Sequence, residues 1–173
     1  MQKALFLDRD GVINVEKDYL YKIEDFEFIN GIFELCQHYL HLDYIVIVVT
    51  NQSGIAREYY TDEDFENLTA WMLGMFCEHG IEITHVYHCP HHPDISGECS
   101  CRKPKAGMLL QAAKDFDINL ENSIIIGDKE RDIDAGLNAG LKETYLFDES
   151  SRCKESKATR IVSKLKDIYN ANT

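Results

Sequence analysis

The sequence predicts an α/β fold, a three-layer, Rossmann-like arrangement in which helices cover both faces of a parallel sheet. Short apolar runs alternate with segments of helical periodicity, the pattern of repeated βαβ units. The apolar runs are hydrophobic on both of their faces, as strands buried in a covered parallel sheet are. Three of them also finish in polar residues, at Asp8 and Asp10, Thr50 and Asn51, and Gly127 and Asp128. In an open α/β sheet, ligands bind at that edge.

The elements follow in order. KALFLD (residues 3–8) is a short apolar strand, and GIFELCQHYLHL (31–42) is a helix with apolar positions at Ile32, Leu35, Cys36 and Tyr39. YIVIVVT (44–50) is β-branched and apolar throughout, a second buried strand. Thr61, three acids and a Gly80 stop frame a helix over residues 62–79. Its stripe of Trp71, Met72, Met75 and Phe76 reads as core, and Cys36 and Cys77 are expected to be buried with their helices. ITHVYHC (83–89) gives a third strand, residues 105–118 a helix, NSIIIGD (122–128) a fourth strand, and ERDIDAGLNAG a helix closed by Gly140. ETYLF (143–147) is a fifth strand and TRIVSKLKDIYN (159–170) a terminal amphipathic helix. The acidic, aromatic segment 15–28 has no clear period and is expected to lie as a flap beside the ligand-binding edge.

Length and charge narrow the function. The 173 residues suit a single domain spanning 1–173. A formal net charge of -12 excludes an electrostatic grip on nucleic acid or anionic lipid. No run approaches the roughly 20 apolar residues that span a bilayer, and no leader pattern opens the chain. A cytoplasmic protein without a nucleic-acid or membrane partner is expected, and a phosphorylated substrate would need a local basic patch.

The motifs supply that chemistry. In DRDG, Asp8 and Asp10 stand two residues apart, on one side of an extended backbone, where like charges repel unless a cation relieves them. With Asp128 of GDKERD they offer hard oxygen ligands suited to Mg²⁺. One carboxylate can attack a phosphoryl group while the second protonates the leaving oxygen and then activates water. Asp132, in the first turn of a helix, reads as a partner of the helix dipole. TNQSG offers the Thr50 hydroxyl and loop amides to phosphoryl oxygens. RKPK supplies the basic patch: Arg102 can grip phosphate bidentately and Lys103 can act as a point charge. In CPHHPDISGECSC (89–101), Cys89, His91, Cys99 and Cys101 form a four-ligand set for a structural Zn²⁺, with His88 and His92 as nearby alternatives to His91.

These residues resemble the haloacid dehalogenase (HAD) superfamily of phosphotransferases: DRDGVIN matches its first motif, VVTN its second, the Lys103 segment its third and IIIGDKERD its fourth. TNQSGIAR, CPHHP, CRKP and IGDK are similar to its heptose-bisphosphate branch. The resemblance implies a HAD-like fold and a Mg²⁺-dependent phosphatase acting on a phosphorylated sugar, the 7-phosphate of a heptose 1,7-bisphosphate, with histidinol phosphate as the alternative substrate; no insertion is large enough for a separate cap domain, and a monomer is expected. It implies Asp8 as nucleophile and Asp10 as general acid and base. Mg²⁺ would sit on the Asp8 carboxylate, the Asp10 carbonyl and Asp128. Thr50, Arg102 and Lys103 would stabilise the phosphoryl group, with Asn51, Gln52, Ser53 and Lys129 nearby. Glu16, Lys17, Asp18 and Tyr19 would touch the sugar.

Overall fold

A computed structural model of the chain describes residues 1–170. Six parallel strands, in spatial order β3-β2-β1-β4-β5-β6, form one sheet. They are β1 (Lys3–Leu7), β2 (Tyr44–Asn51), β3 (Ile83–Cys89), β4 (Ile124–Gly127), β5 (Glu143–Phe147) and β6 (Arg160–Val162). The helices are α1 (Ile32–His41), α2 (Asp62–Glu78), a single-turn α3 (Pro93–Ser96), α4 (Gly107–Phe116) and α5 (Glu130–Ala139). Period-2 alternation splits each central strand between two cores. Leu5, Leu7, Val46, Val48, Ile124 and Ile126 pack with buried side chains of α1 and α2. Ala4, Phe6, Ile47, Val49 and Ile125 pack on the other face with α4 and α5. Strands buried on both faces are why these runs are apolar throughout, and the expected three-layer α/β fold is the one formed.

α2 starts where its sequence says it should. The Thr61 hydroxyl accepts from the Asp64 amide at 3.1 Å while the Asp64 carboxylate accepts from the Thr61 amide at 2.8 Å, a reciprocal cap. Its buried positions are Phe65, Leu68, Met72 and Phe76. That stripe leaves Cys77 exposed, contrary to the expectation of burial, because it lies one residue past the core-facing Phe76.

The expected C-terminal helix is not formed. Residues 160–162 instead add β6 to the sheet edge, followed by a 3₁₀ turn at Leu165–Ile168. Thr144 and Thr159 exchange side chain–backbone hydrogen bonds at 3.0 and 3.2 Å that align the new strand. The buried pair Leu165 and Ile168, three residues apart, fits a 3₁₀ turn as well as an α-helix, so the apolar spacing misled. Segment 15–28 runs as a strap over the C-terminal edge of the sheet, tied down by Val15 N–H to the Glu27 carbonyl at 2.8 Å. Among the described residues no helix is long and apolar enough to cross a membrane.

Candidate active site

β1, β2 and β4 end around one crevice of about 290 Å³. Asp8, Asp10, Glu16, Asp18 and Tyr19 line it from β1 and the strap, and Asn51, Gln52 and Ser53 from the end of β2. Arg102 and Lys129 close it from the loops before α4 and α5. The sequence motifs thus converge because parallel strands deliver their C-terminal ends to the same side.

Asp8 lies at the floor and is buried. Its carboxylate accepts from Lys103 Nζ at 2.9 Å, and the same ammonium lies 2.6 Å from Asp132 Oδ1 and donates to the Val49 carbonyl at 2.8 Å. Burial, and then the charge of Asp132, push the Asp8 pKa well up, with Lys103 pulling against them. Burial alone would lower the Lys103 pKa, but Asp132 and Asp8 outweigh it and the ammonium is held charged. Lys103 is therefore not part of the crevice wall; it sits beneath Asp8 as a buried counter-charge. Asn51 clasps the Lys103 backbone, donating to its carbonyl at 3.1 Å and accepting from its amide at 3.0 Å.

Asp132 does cap its helix, accepting from the Lys129 amide at 3.0 Å, as a first-turn acid should. It is also fully buried and ion-paired to Lys103, a part that its helix position alone did not reveal. Asp8, Asp128 and Asp132 bring carboxylate oxygens within 4.8 Å of one another. Burial, followed by the Asp132 charge, raises Asp128 as well, although Lys129 Nζ stands 3.1 Å from it. A hard-oxygen set of three carboxylates that, among the described residues, share only Lys103 and Lys129 as counter-charges fits Mg²⁺, with Asp8 and Asp128 each keeping a second oxygen to offer it. Gly11 belongs to this packing: its φ is +88°, and a Cβ there would lie 2.2 Å from Asp128 Oδ2.

Asp10 is held differently. Its carboxylate accepts from Arg9 Nη2 at 3.1 Å, Asn14 Nδ2 at 3.0 Å and Gln52 Nε2 at 3.0 Å. Arg9, itself buried, is anchored on the Leu20 carbonyl at 2.9 Å, so the strap and the Asp10 carboxylate share one guanidinium. Above them, burial and then the charge of Asp10 raise the pKa of Glu16.

Besides Lys103, two more residues expected in the site lie off the crevice wall. Lys17 bonds the Asp25 carbonyl at 2.8 Å within the strap and does not line the crevice. Thr50 is buried behind the wall, its hydroxyl accepting from Gln52 Nε2 at 2.9 Å. Conversely, Arg9, Arg57, Tyr60 and Arg131 reach the site without having been singled out; the last three line the crevice. Arg57 follows Ser53 by one turn, its amide bonded to the Ser53 carbonyl at 3.1 Å. Arg57 closes the quoted TNQSGIAR motif, and its i, i+4 spacing from Ser53 was the signal that it could share the site.

Cys89, His91, Cys99 and Cys101 gather beside Arg102, with ligand atoms within 4.8 Å of one another. Cys89 Sγ lies 3.6 Å from both His91 Nδ1 and Cys99 Sγ, 2.7 Å from Cys101 Sγ, and His91 Nδ1 lies 3.4 Å from Cys101 Sγ. Tetrahedral ligands bonded at about 2.3 Å stand roughly 3.7 Å apart; three of these separations match, while Cys89 and Cys101 stand closer together than such an ion would hold them. Burial works to raise the Cys99 pKa, but hydrogen bonds from the Arg102 amide and the neighbouring thiols bring it down to about 6. His92 instead caps α3, and His88 stacks on Phe65 with ring centroids 4.2 Å apart. Arg102 donates to the His91 carbonyl at 3.2 Å, which ties the cluster to the crevice wall.

Known proteins resemble the chain in sequence and in fold. A family model described as HAD-hydrolase-like matches residues 100–168. The chain is 53% identical over 168 residues to a D-glycero-alpha-D-manno-heptose-1,7-bisphosphate 7-phosphatase of Campylobacter jejuni, covering 97% of this chain and 94% of that one. It is 52% identical over 146 residues to a D-glycero-beta-D-manno-heptose-1,7-bisphosphate 7-phosphatase of Helicobacter pylori, covering 84% and 83%. A crystal structure of D,D-heptose 1,7-bisphosphate phosphatase from B. bronchiseptica, complexed with magnesium and phosphate, superposes with a TM-score of 0.85 at 27% identity, covering 98% of this chain and 97% of that one. With motifs, fold and near full-length identity in agreement, the chain belongs to the HAD-like hydrolases, in the family of these heptose bisphosphate phosphatases, and is a phosphoric monoester hydrolase.

Proposed function

We propose that the chain removes the 7-phosphate of D-glycero-D-manno-heptose 1,7-bisphosphate through an aspartyl-phosphate on Asp8. The observation that carries this reading is the division of labour between two neighbouring carboxylates: Asp8 on a buried lysine at the floor, Asp10 on three neutral or cationic donors at the wall. Asp8 attacks phosphorus, the bond from phosphorus to the sugar oxygen breaks, and Asp10 gives that oxygen its proton. Asp10 then takes a proton from water as the water oxygen attacks phosphorus, which releases phosphate and restores both carboxyl groups. Lys103 holds charge beneath the transferring group, and Asn51 and Ser53 line the crevice where its oxygens would sit. Mg²⁺ on Asp8 and Asp128, with the Asp10 carbonyl as the expected third protein ligand, would neutralise phosphoryl charge.

The second phosphate of the substrate finds cations in the same crevice. Arg57 and Arg131 line it without an ion-pair partner among the described residues, and Arg57 Nε is buried without a hydrogen-bond acceptor. Histidinol phosphate, which has one phosphate, leaves these groups unused. Zn²⁺ on Cys89, His91, Cys99 and Cys101 would order the loop that presents Arg102. None of the six cysteines is in a disulfide, which suits a reducing compartment and supports a single cytoplasmic domain, whose product would feed nucleotide-activated heptose for lipopolysaccharide or a related polymer. The net charge of -12 supports a small-molecule substrate over nucleic acid, and we take the chain to act as a monomer.

The test is phosphate release, with Mg²⁺, from both anomers of the heptose bisphosphate, from the 7-monophosphate and from histidinol phosphate, with Asp8→Asn as blank. Preference for a bisphosphate anomer is expected; preference for histidinol phosphate would overturn the substrate.

A further inference from the structure

We propose that Tyr60 is a positioning residue for the general acid and base, acting through Gln52. Tyr60 lies just ahead of α2, is buried, and donates its hydroxyl to Gln52 Oε1. Gln52 is buried too, and its Nε2 donates to Asp10 Oδ2 at 3.0 Å and to Thr50 Oγ at 2.9 Å. An amide can sit in either of two flipped orientations, and only one presents N–H to a carboxylate; the flipped one would set Oε1 against Asp10. The hydroxyl of Tyr60 selects the productive orientation because it supplies the donor that Oε1 needs. Burial raises the Tyr60 pKa, so the phenol keeps its proton across the working range.

The ring is fixed as firmly as the hydroxyl. A Cβ on Gly54 would lie 2.1 Å from Tyr60 Cε1, so only glycine lets the loop press this closely on the ring. Tyr21 of the strap stacks on the ring at 5.4 Å between centroids, 15° from parallel. The strap and the Asp10 carboxylate are thereby joined through one aromatic side chain, and the chain Tyr60–Gln52–Asp10 sets where the proton is delivered.

The inference rests on Asp10 acting as proposed above, and the experiment separates the two. kcat/KM reports events up to the first irreversible step, here cleavage of phosphorus from the leaving oxygen. A sugar oxygen needs Asp10 to protonate it as it leaves, whereas nitrophenolate leaves without help. Tyr60→Phe is expected to lower kcat/KM on heptose 1,7-bisphosphate roughly 10-fold, part of the 10²–10⁴-fold that proton transfer contributes, and to change it less than about 2-fold on p-nitrophenyl phosphate. Gln52→Ala should reproduce that selective loss, and adding Tyr60→Phe to it should cost nothing more on the sugar substrate.

Tyr21→Leu removes the stack and spares the hydroxyl, so it should leave the ratio of the two substrates unchanged. Equal losses on both substrates, additive effects of Tyr60→Phe and Gln52→Ala, or a shifted ratio in Tyr21→Leu would each show that Tyr60 serves packing alone and would overturn the proposal. Asp10→Asn is the control on the underlying reading. If it keeps full turnover on the sugar substrate, the role of Asp10 falls and this inference with it; if it is inactive while Tyr60→Phe shows no selective loss, only this inference falls.

Discussion

Lys103 carries the largest electrostatic responsibility of any single residue. It is buried, and it lies within 3 Å of two carboxylates that are also buried, at 2.9 Å from Asp8 and 2.6 Å from Asp132. Removing one member of such a set strands the others in low dielectric. Lys103→Met is expected to destabilise the metal-free protein by about 3–5 kcal/mol, read as a lower urea midpoint, besides abolishing turnover. An unchanged midpoint would mean that the carboxylates are neutralised some other way. The sequence marked Lys103 as a phosphate-binding charge but was silent on Asp132 as its partner, since the two are 29 positions apart and meet only when β4 lies beside β1. Tyr60 was invisible for the same reason: nothing local distinguishes it from its exposed neighbour Tyr59.

Among the elements, the Cys/His loop and α2 make separate claims. The cysteine spacing made the cluster legible in the sequence, because three thiols and an imidazole in so polar a loop have little other use. Stripping the proposed Zn²⁺ with a chelator, Mg²⁺ then being restored, is expected to free Arg102 from its bond to the His91 carbonyl and so raise KM roughly 10-fold while kcat stays within about 3-fold. A collapse of kcat with unchanged KM would place the loop in the chemistry itself. For α2, Thr61→Ala removes one half of the reciprocal cap and should cost about 1 kcal/mol in thermal or urea unfolding, with kinetics intact. The C-terminal segment was the element misread. Its strand of three residues is too short to announce itself, and the following apolar pair at i, i+3 mimics a helix.

Over the whole molecule, acid surplus and metal binding are linked. Asp8 and Asp128 both have pKa values above the ordinary carboxylate range in the folded protein. Between that range and the raised values the folded chain holds more protons than the unfolded chain, so metal-free stability falls as pH rises through that window. Mg²⁺ binds the deprotonated carboxylates, so the gain in Tm on adding Mg²⁺ should grow as pH is raised from about 4 toward neutrality. A gain that is constant with pH would remove Asp8 and Asp128 as ligands. The sheet was readable in advance because strands buried on both faces must be apolar throughout, and the crevice was readable because parallel strands end together. What was not readable lies in contacts across the fold, from the lysine beneath Asp8 to the amide beside Asp10.

The covalent role of Asp8 is the centre of the account. It is tested most directly by quenching the enzyme in acid during turnover, digesting it and weighing the peptide that contains Asp8. A peptide heavier by one phosphoryl group, localised to Asp8, is the result expected. No such peptide at any quench time, together with inversion of configuration at phosphorus, would mean direct attack by water and would contradict the mechanism.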